Sequence, residues 1–304
     1  MYIEYNVRLL FYLLKLPSDC YCAIDLDTIL SNYFASKIKG KNRVYDAHEL
    51  FTEQKEIVTR PPIYKMWLKV EKFAVPKFIY GYTVNEFIAN EFKRRYGVNY
   101  AVVRNLPHLS HYTPDPDRKN PFIIYQGAVN EGRSFETLIP AMKSVNAKLK
   151  IYGTGNYFDK AVVLVKEHHL EDKVELKGTV TPAELRKVTP TAFAGIMLFE
   201  ETGLNQYHSL ANRFFDYIMA GIPQVCVGYP EYKALNDKYN VAYLVNDTTT
   251  ETIAAALNNL LIDNVMYETL QQNCLQAREI LNWQAEEKVL ISFYHNIFSN
   301  TSVN

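Results

Sequence analysis

Four cysteines, at positions 20, 22, 226 and 274, are too few and too unevenly spaced in this 304-residue chain for a disulfide framework. No second close pair complements Cys20 and Cys22, so a structural zinc site is excluded as well, and a reducing, cytoplasmic setting is expected. Long apolar runs are also missing. The opening "MYIEYNVRLLFYLLKLPSD" is broken by Arg8 and Lys15, which confine its longest apolar run to Leu9–Leu14. That run is too short to span a bilayer, and no signal-peptide cleavage pattern follows it. The segment reads as an amphipathic helix that packs on a sheet or touches a bilayer surface, packing being the preferred reading. An excess of either charge is absent too: 33 Lys and Arg face 33 Asp and Glu, and no nucleic-acid partner is expected. The balance hides an asymmetry, since residues 1–107 carry 16 basic against 11 acidic side chains and residues 108–304 carry 17 against 22. "KIKGKNR" (37–43) and "KRR" (93–95) suit either an ordinary solvated face or peripheral contact with an anionic membrane surface.

What the chain does contain is a regular alternation. From residue 121, apolar strand-like runs precede helical patterns: "FIIYQG" (122–127), "KLKIYG" (148–153), "VELKG" (174–178), "AGIMLFE" (194–200), "PQVCVG" (223–228) and "VAYLV" (241–245). Such repetition predicts a parallel sheet with helices on both faces. At Thr181, Pro182 and Glu184 the sequence supplies an N-cap, a first-turn proline and a capping-box partner. Two helices, near 264–281 and 283–298, finish the chain. The first 107 residues repeat the grammar less completely, with strands expected at 20–26, 41–47, 77–83 and 100–107. The fold class is therefore α/β, with two doubly wound Rossmann-like domains facing a cleft. The boundaries expected are 1–107, a polar, proline-rich linker at 108–121, a second domain at 122–282, and a helical segment at 283–304 that packs back on the first domain. Ligands of such sheets sit beyond the carboxyl ends of the strands, so the loops after 127, 153, 178 and 200, and after 26 and 47, are the ones to examine.

The loops of the second domain suit a nucleoside diphosphate. In "YQGAVNEGR", Gly127 lets backbone N–H groups approach an anion and Arg133 offers a bidentate guanidinium. "YGTGN" adds Gly153 in a second glycine-bearing turn, which a tight strand-to-helix connection requires with or without a ligand. The sharper signal is "HSLANRFFDYIMAGIPQV" (208–225). A helix beginning near Leu210, Ala211 and Asn212 presents free N–H groups and a positive dipole end to an anion, and Arg213 adds a full charge. Asp216 lies about one turn deeper on the same side; beside a phosphate it would be repelled, unless it accepts hydrogen bonds from a ribose diol. The plainer alternative is an Arg213–Asp216 surface pair with no ligand.

These motifs together resemble retaining glycosyltransferases of the GT-B fold, in the large family 4 group. "SLANRFFDYIMAGIPQV" matches that group's nucleotide-sugar segment, and "YQGAVNEGR", "LKIYGTGN", "VELKGTVTPAEL" and "VAYLVNDTTTETIAAAL" support it. Upstream, "DLDT", "VYDAHELFTE" and "VVRNLP" resemble the acceptor-side half, so the resemblance spans most of the chain. It implies that Asp216 binds ribose, that Leu210–Asn212, Arg133 and Arg213 hold the diphosphate, and that the turn Gly178–Val180 borders the base. It implies a reacting centre at His48 and Asp25, with Asp27 and Glu49 on the acceptor side.

Two departures from the family pattern stand out. A first glutamate is expected at the position of His208, whose imidazole offers one hydrogen bond but no carboxylate. The usual opening strand, glycine-rich loop and helix have no match before "DCYCAIDLD", so the N-terminal domain is expected to be incomplete. The implied reaction moves a sugar from a UDP- or GDP-linked donor to a hydroxyl acceptor with retention, by front-face attack, in polysaccharide or glycolipid synthesis of a bacterial surface. The acceptor is a glycan or a lipid-linked glycan. Neither a cofactor nor a metal is expected, "DLD" being read as acceptor side rather than as a metal-binding Asp-x-Asp. The non-enzymatic alternative is a catalytically idle GT-B subunit that binds a nucleotide sugar or a partner transferase.

Overall fold

The computed structural model describes residues 2–201 and 203–301; the last three residues of the expected C-terminal segment lie outside it. The chain divides into two compact units. Unit 1 comprises residues up to Asn105, Gly203–Ser209 and the stretch from Glu286 onward, and unit 2 holds Leu106–Thr202 and Leu210–Ala285.

Unit 1 runs α1 (Tyr2–Lys15), β1 (Cys20–Ile24), α2 (Ile29–Lys39), β2 (Asn42–Ala47), α3 (Lys55–Val58), α4 (Pro61–Ala74), β3 (Tyr80–Thr83), α5 (Glu86–Tyr96) and β4 (Ala101–Val102). The four strands are parallel and lie in chain order, β1-β2-β3-β4. Buried Ala23, Tyr45, Trp67, Phe78 and Phe92 form its core. The strand expected at 100–107 is only two residues long; past it the Val103 N–H still reaches the Thr83 carbonyl, but the Arg104 N–H donates to Glu286 Oε1 at 2.7 Å.

Unit 2 runs β5 (Phe122–Gln126), α6 (Phe135–Ala141), β6 (Lys148–Tyr152), α7 (Phe158–Glu167), β7 (Val174–Gly178), α8 (Pro182–Val188) and β8 (Ala194–Met197). The chain then enters unit 1 for α9 (Leu204–Tyr207) and returns for α10 (Asn212–Ala220), β9 (Gln224–Val227), α11 (Pro230–Tyr239), β10 (Ala242–Val245), α12 (Thr250–Ile262) and α13 (Asn264–Ala277). The last helix, α14 (Trp283–Thr301), contributes its residues from Glu286 onward to unit 1. The sheet order is β10-β9-β8-β5-β6-β7, all parallel.

Every residue of β5, β8 and β9 is buried, as a parallel sheet covered on both faces demands. Gln126 and Gln224 are the polar exceptions in these strands, and each must find a partner to offset its desolvation. Gln224 donates to the Phe214 carbonyl at 3.1 Å; Gln126 turns toward α10. The capping box at Thr181 and Glu184 forms as the sequence requires. The winding direction reverses between β5 and β8, so the loops after these two strands diverge and leave a crevice at their carboxyl ends.

Candidate functional site

At those carboxyl ends, Gly127, Gly153 and Gly178 sit side by side. The Gly127 N–H donates to the Tyr152 carbonyl at 2.9 Å and the Gly153 N–H to the Gly178 carbonyl at 2.8 Å. Gly153 has φ 137°, and a Cβ there would overlap the Gly127 carbonyl oxygen. Glycine is therefore a packing requirement at 153, whatever binds nearby. Val180 is a partly buried residue packed beside the small apolar cluster of Phe122, Ile124 and Tyr217.

Helix α10 begins at Asn212, with extended Ala211 as its N-cap and no side chain capping it. The Ala211 N–H donates to the Tyr232 hydroxyl at 2.9 Å, and Leu210 packs against the core of unit 2. The positive end of a nine-residue helix thus lies here, its first turn without a side-chain cap.

Arg213 is not a surface residue. It is 8% exposed, with its guanidinium over the Tyr125 ring at 4.5 Å and the Phe199 ring at 4.9 Å. Its Nε meets Met197 Sδ at 3.0 Å, its Nη1 donates to the Tyr125 hydroxyl at 2.9 Å, and its Nη2 is buried without a partner. Arg133 lies over the same Phe199 ring at 4.0 Å. A Cβ added to Gly127 would stand 3.3 Å from Arg213 Nη1. The structure thus brings Arg133 and Arg213 onto one aromatic ring, with Gly127 beside Arg213. Among the described residues no carboxylate forms an ion pair with Arg213, although Asp216 on the same helix is near enough to feel its charge.

Asp216 makes no pair with Arg213 either. Its Oδ2 accepts from Gln126 Nε2 at 3.0 Å, and Gln126 Oε1 stands 2.8 Å from the Thr189 hydroxyl. Burial pushes the Asp216 carboxyl up to about 6, against the opposing pull of the Gln126 bond and of Arg186 and Arg213. The Arg213–Asp216 pair that the i, i+3 spacing offered as the plainer alternative does not form; from β5, Tyr125 meets Arg213 and Gln126 meets Asp216. Gln126, Tyr125 and Phe199 escaped the sequence reading; a glutamine closing an otherwise apolar strand was the available signal.

In unit 1, the DAHE segment folds around one imidazole. His48 Nε2 lies 3.0 Å from Asp46 Oδ1, its Nδ1 lies 3.9 Å from Asp25 Oδ2, and its N–H donates to Asp25 Oδ1 at 3.1 Å. Asp46 also accepts from the Tyr82 hydroxyl at 3.2 Å, which fixes the carboxylate. The Asp46 hydrogen bond is the main reason that His48 is raised above its ordinary value. Burial raises Asp25, which holds φ 56° and ψ 171° at the end of β1. A non-glycine residue there stores roughly 1–3 kcal/mol of strain, offset in part by its bond to the His48 N–H. Asp46 was passed over as a site residue, although His48 follows it by two residues just past the end of β2, a spacing that on extended backbone turns side chains to one face.

Asp27 and Glu49 both act on Asp25 through their charge, and each has further surroundings of its own. Glu49 accepts from Asn205 Nδ2 at 2.8 Å and from Gln54. Asp27 lines an apolar cleft of about 290 Å³ between α1, α2 and α4, with Trp67 and Phe34. His208 belongs to unit 1: its ring stacks on Phe87 at 3.2 Å with planes 4° apart, and its carbonyl accepts from Asn85 Nδ2 at 2.8 Å. Burial lowers its pKa.

A six-stranded doubly wound sheet, with a parallel α/β unit in the same chain, is the architecture of GT-B glycosyltransferases. The solved structures similar to this chain share that fold. S. aureus TarM, in a complex containing UDP, is 17% identical with a TM-score of 0.73 over 96% of this chain, which spans 58% of the TarM chain. Sucrose-phosphate synthase from Thermosynechococcus elongatus is 17% identical with a TM-score of 0.78, covering 98% of this chain and 78% of its own. Anabaena HepE, solved with UDP and glucose, is 12% identical with a TM-score of 0.76, covering 99% and 82%. No curated protein sequence matches the chain. The glycosyl transferases group 1 family model matches residues 113–277, more than half of the chain, and the protein belongs to that family.

Proposed function

We propose that the protein binds a nucleoside-diphosphate sugar through the start of α10 and transfers the sugar to a hydroxyl acceptor with retention. The observation that carries this reading is Arg213: a guanidinium buried among aromatic rings, without an ion-paired carboxylate, beside Gly127 and Arg133 at a helix N-terminus. A diphosphate would supply the paired negative charge. One turn on, Asp216 offers its second oxygen to a ribose diol. UDP is the favoured nucleotide, because similar folds have been solved with it.

As the bond to the leaving diphosphate stretches, charge grows on its oxygens, and Arg213, Arg133 and the first-turn N–H groups stabilise that charge in place. The acceptor hydroxyl attacks from the same face and gives its proton to the departing phosphate oxygen. We assign His48, held by Asp46 and Asp25, to the reacting centre, and transfer is proposed to be independent of metal. The acceptor is proposed to be a glycan or lipid-linked glycan of a bacterial surface, glycosylated in the cytoplasm.

Calorimetry with UDP and GDP, followed by incubation with UDP-hexoses, tests the reading. UDP binding with slow donor hydrolysis insensitive to EDTA is expected. Binding without turnover would identify an idle nucleotide-sugar-binding subunit, and failure to bind either nucleotide would remove the site.

A further inference from the structure

Two self-consistent hydrogen-bond patterns are open to the side chains behind Asp216. The Thr189 hydroxyl is 2.8 Å from Gln126 Oε1 and also 2.8 Å from the Leu185 carbonyl, and it has one proton to give. If that proton goes to Gln126, the amide must turn its NH₂ toward Asp216, as the 3.0 Å contact shows. If it goes to Leu185, the hydroxyl is free to accept from the amide NH₂. Gln126 Oε1 then faces Asp216, an arrangement that only a protonated carboxyl satisfies. Gln126 is 5% exposed, so water cannot readily replace either partner.

We infer that Gln126, oriented by Thr189, is the positioning residue that holds Asp216 as an acceptor-only carboxylate and leaves its Oδ1 for the two hydroxyls of a ribose. This rests on the nucleotide reading above and adds the residues that set its specificity. Asp216 Oδ1 accepts no bond from any described residue. An anion held this way rewards a ligand with two donors, so a ribonucleotide is preferred to its 2′-deoxy counterpart. The charged groups acting on Asp216 are Arg186 from α8 and Arg213 from its own helix. From the neighbouring elements, β5 brings Gln126, the turn after α8 brings Thr189, and α13 packs Tyr267 and Cys274, both raised far from neutrality by burial.

The test has two arms. In the first, NMR with carboxyl-labelled aspartate follows Asp216 in the ligand-free protein. Gln126→Leu and Thr189→Val should each move its midpoint upward, and Thr189→Ser should restore it. In the second, calorimetry from pH 5 to 8 compares UDP with 2′-deoxy-UDP. The wild type should prefer UDP about tenfold or more, with affinity rising as Asp216 ionises, and Gln126→Leu should lose most of that preference and shift the pH profile upward. An unmoved Asp216 midpoint in folded Gln126→Leu protein overturns the inference. A moved midpoint with no binding of either nucleotide upholds the relay and overturns the nucleotide reading instead.

Discussion

His48 Nε2 lies 3.0 Å from Asp46 Oδ1, and the same carboxylate is pinned from behind by the Tyr82 hydroxyl. The imidazole is therefore oriented by a strand neighbour two residues away, leaving its other edge toward Asp25 at 3.9 Å. Because the Asp46 bond holds the His48 pKa above its ordinary value, the cation persists to higher pH than in a free histidine. Asp46→Asn should lower the His48 midpoint, as read by ¹H–¹⁵N imidazole titration. The sign follows for stability: the contribution of the charged pair is complete below the unfolded value and fades as pH rises through the raised folded value. An unchanged midpoint would remove Asp46 as the orienting group.

Asp216 obeys the opposite logic. Its folded value, about 6, stands above that of an unfolded aspartate, so between them the folded chain holds a proton that the unfolded chain releases. Stability should therefore rise as pH falls from 7 toward 4. Asp216→Asn should flatten that dependence and stabilise the ligand-free protein at pH 7.5, by an amount on the order of 2 kcal/mol. It should also weaken UDP binding roughly ten- to a hundredfold, through loss of charge-assisted bonds. Urea melts at several pH values and calorimetry separate the two effects.

Arg213 should show the same divergence between stability and binding. Replacing a buried, unpaired guanidinium with an apolar chain of similar length removes a desolvation penalty, so Arg213→Met is expected to melt no lower than wild type. Its affinity for UDP should fall at least tenfold. A variant that melts many degrees lower while binding UDP normally would make Arg213 a structural residue only.

Asn85 ties two segments of unit 1 together. It caps α5 by accepting from the Ile88 N–H at 2.9 Å, and donates to the His208 carbonyl at 2.8 Å from a fully buried position. Asn85→Ala should cost about 1–3 kcal/mol in urea unfolding, the sum of a lost cap and an abandoned buried carbonyl. Asn85→Asp keeps the cap but sets a buried carboxylate against the His208 carbonyl, so it should cost at least as much as Asn85→Ala.

Much of the fold was legible because it follows local rules. The alternation of apolar runs and helical patterns announced the parallel strands of unit 2, and Thr181-Pro182-x-Glu184 announced the start of α8. The start of α10 near Asn212 and its end at left-handed Gly221 were readable from spacing and glycine placement. Strand ends were less readable: past β4 the Val103 N–H still reaches the Thr83 carbonyl, but the Arg104 N–H goes to Glu286, far along the chain. The glycine- and arginine-bearing loops at the strand ends could be named from the sequence. That Glu49 and Asp27 would be engaged by Asn205 and by the α1–α2–α4 cleft could not.

Residue order by itself determined which segments became strands and helices, since periodicity, capping and turn chemistry act over a few positions. Only the tertiary structure decided what each charged group meets. Tyr125, Met197 and Phe199 come from different loops and strands to enclose Arg213, and Gln126 reaches Asp216 across 90 residues of sequence. Those partnerships depend on the order in which strands pack side by side, which no local pattern encodes, and they set the charge and exposure of each group.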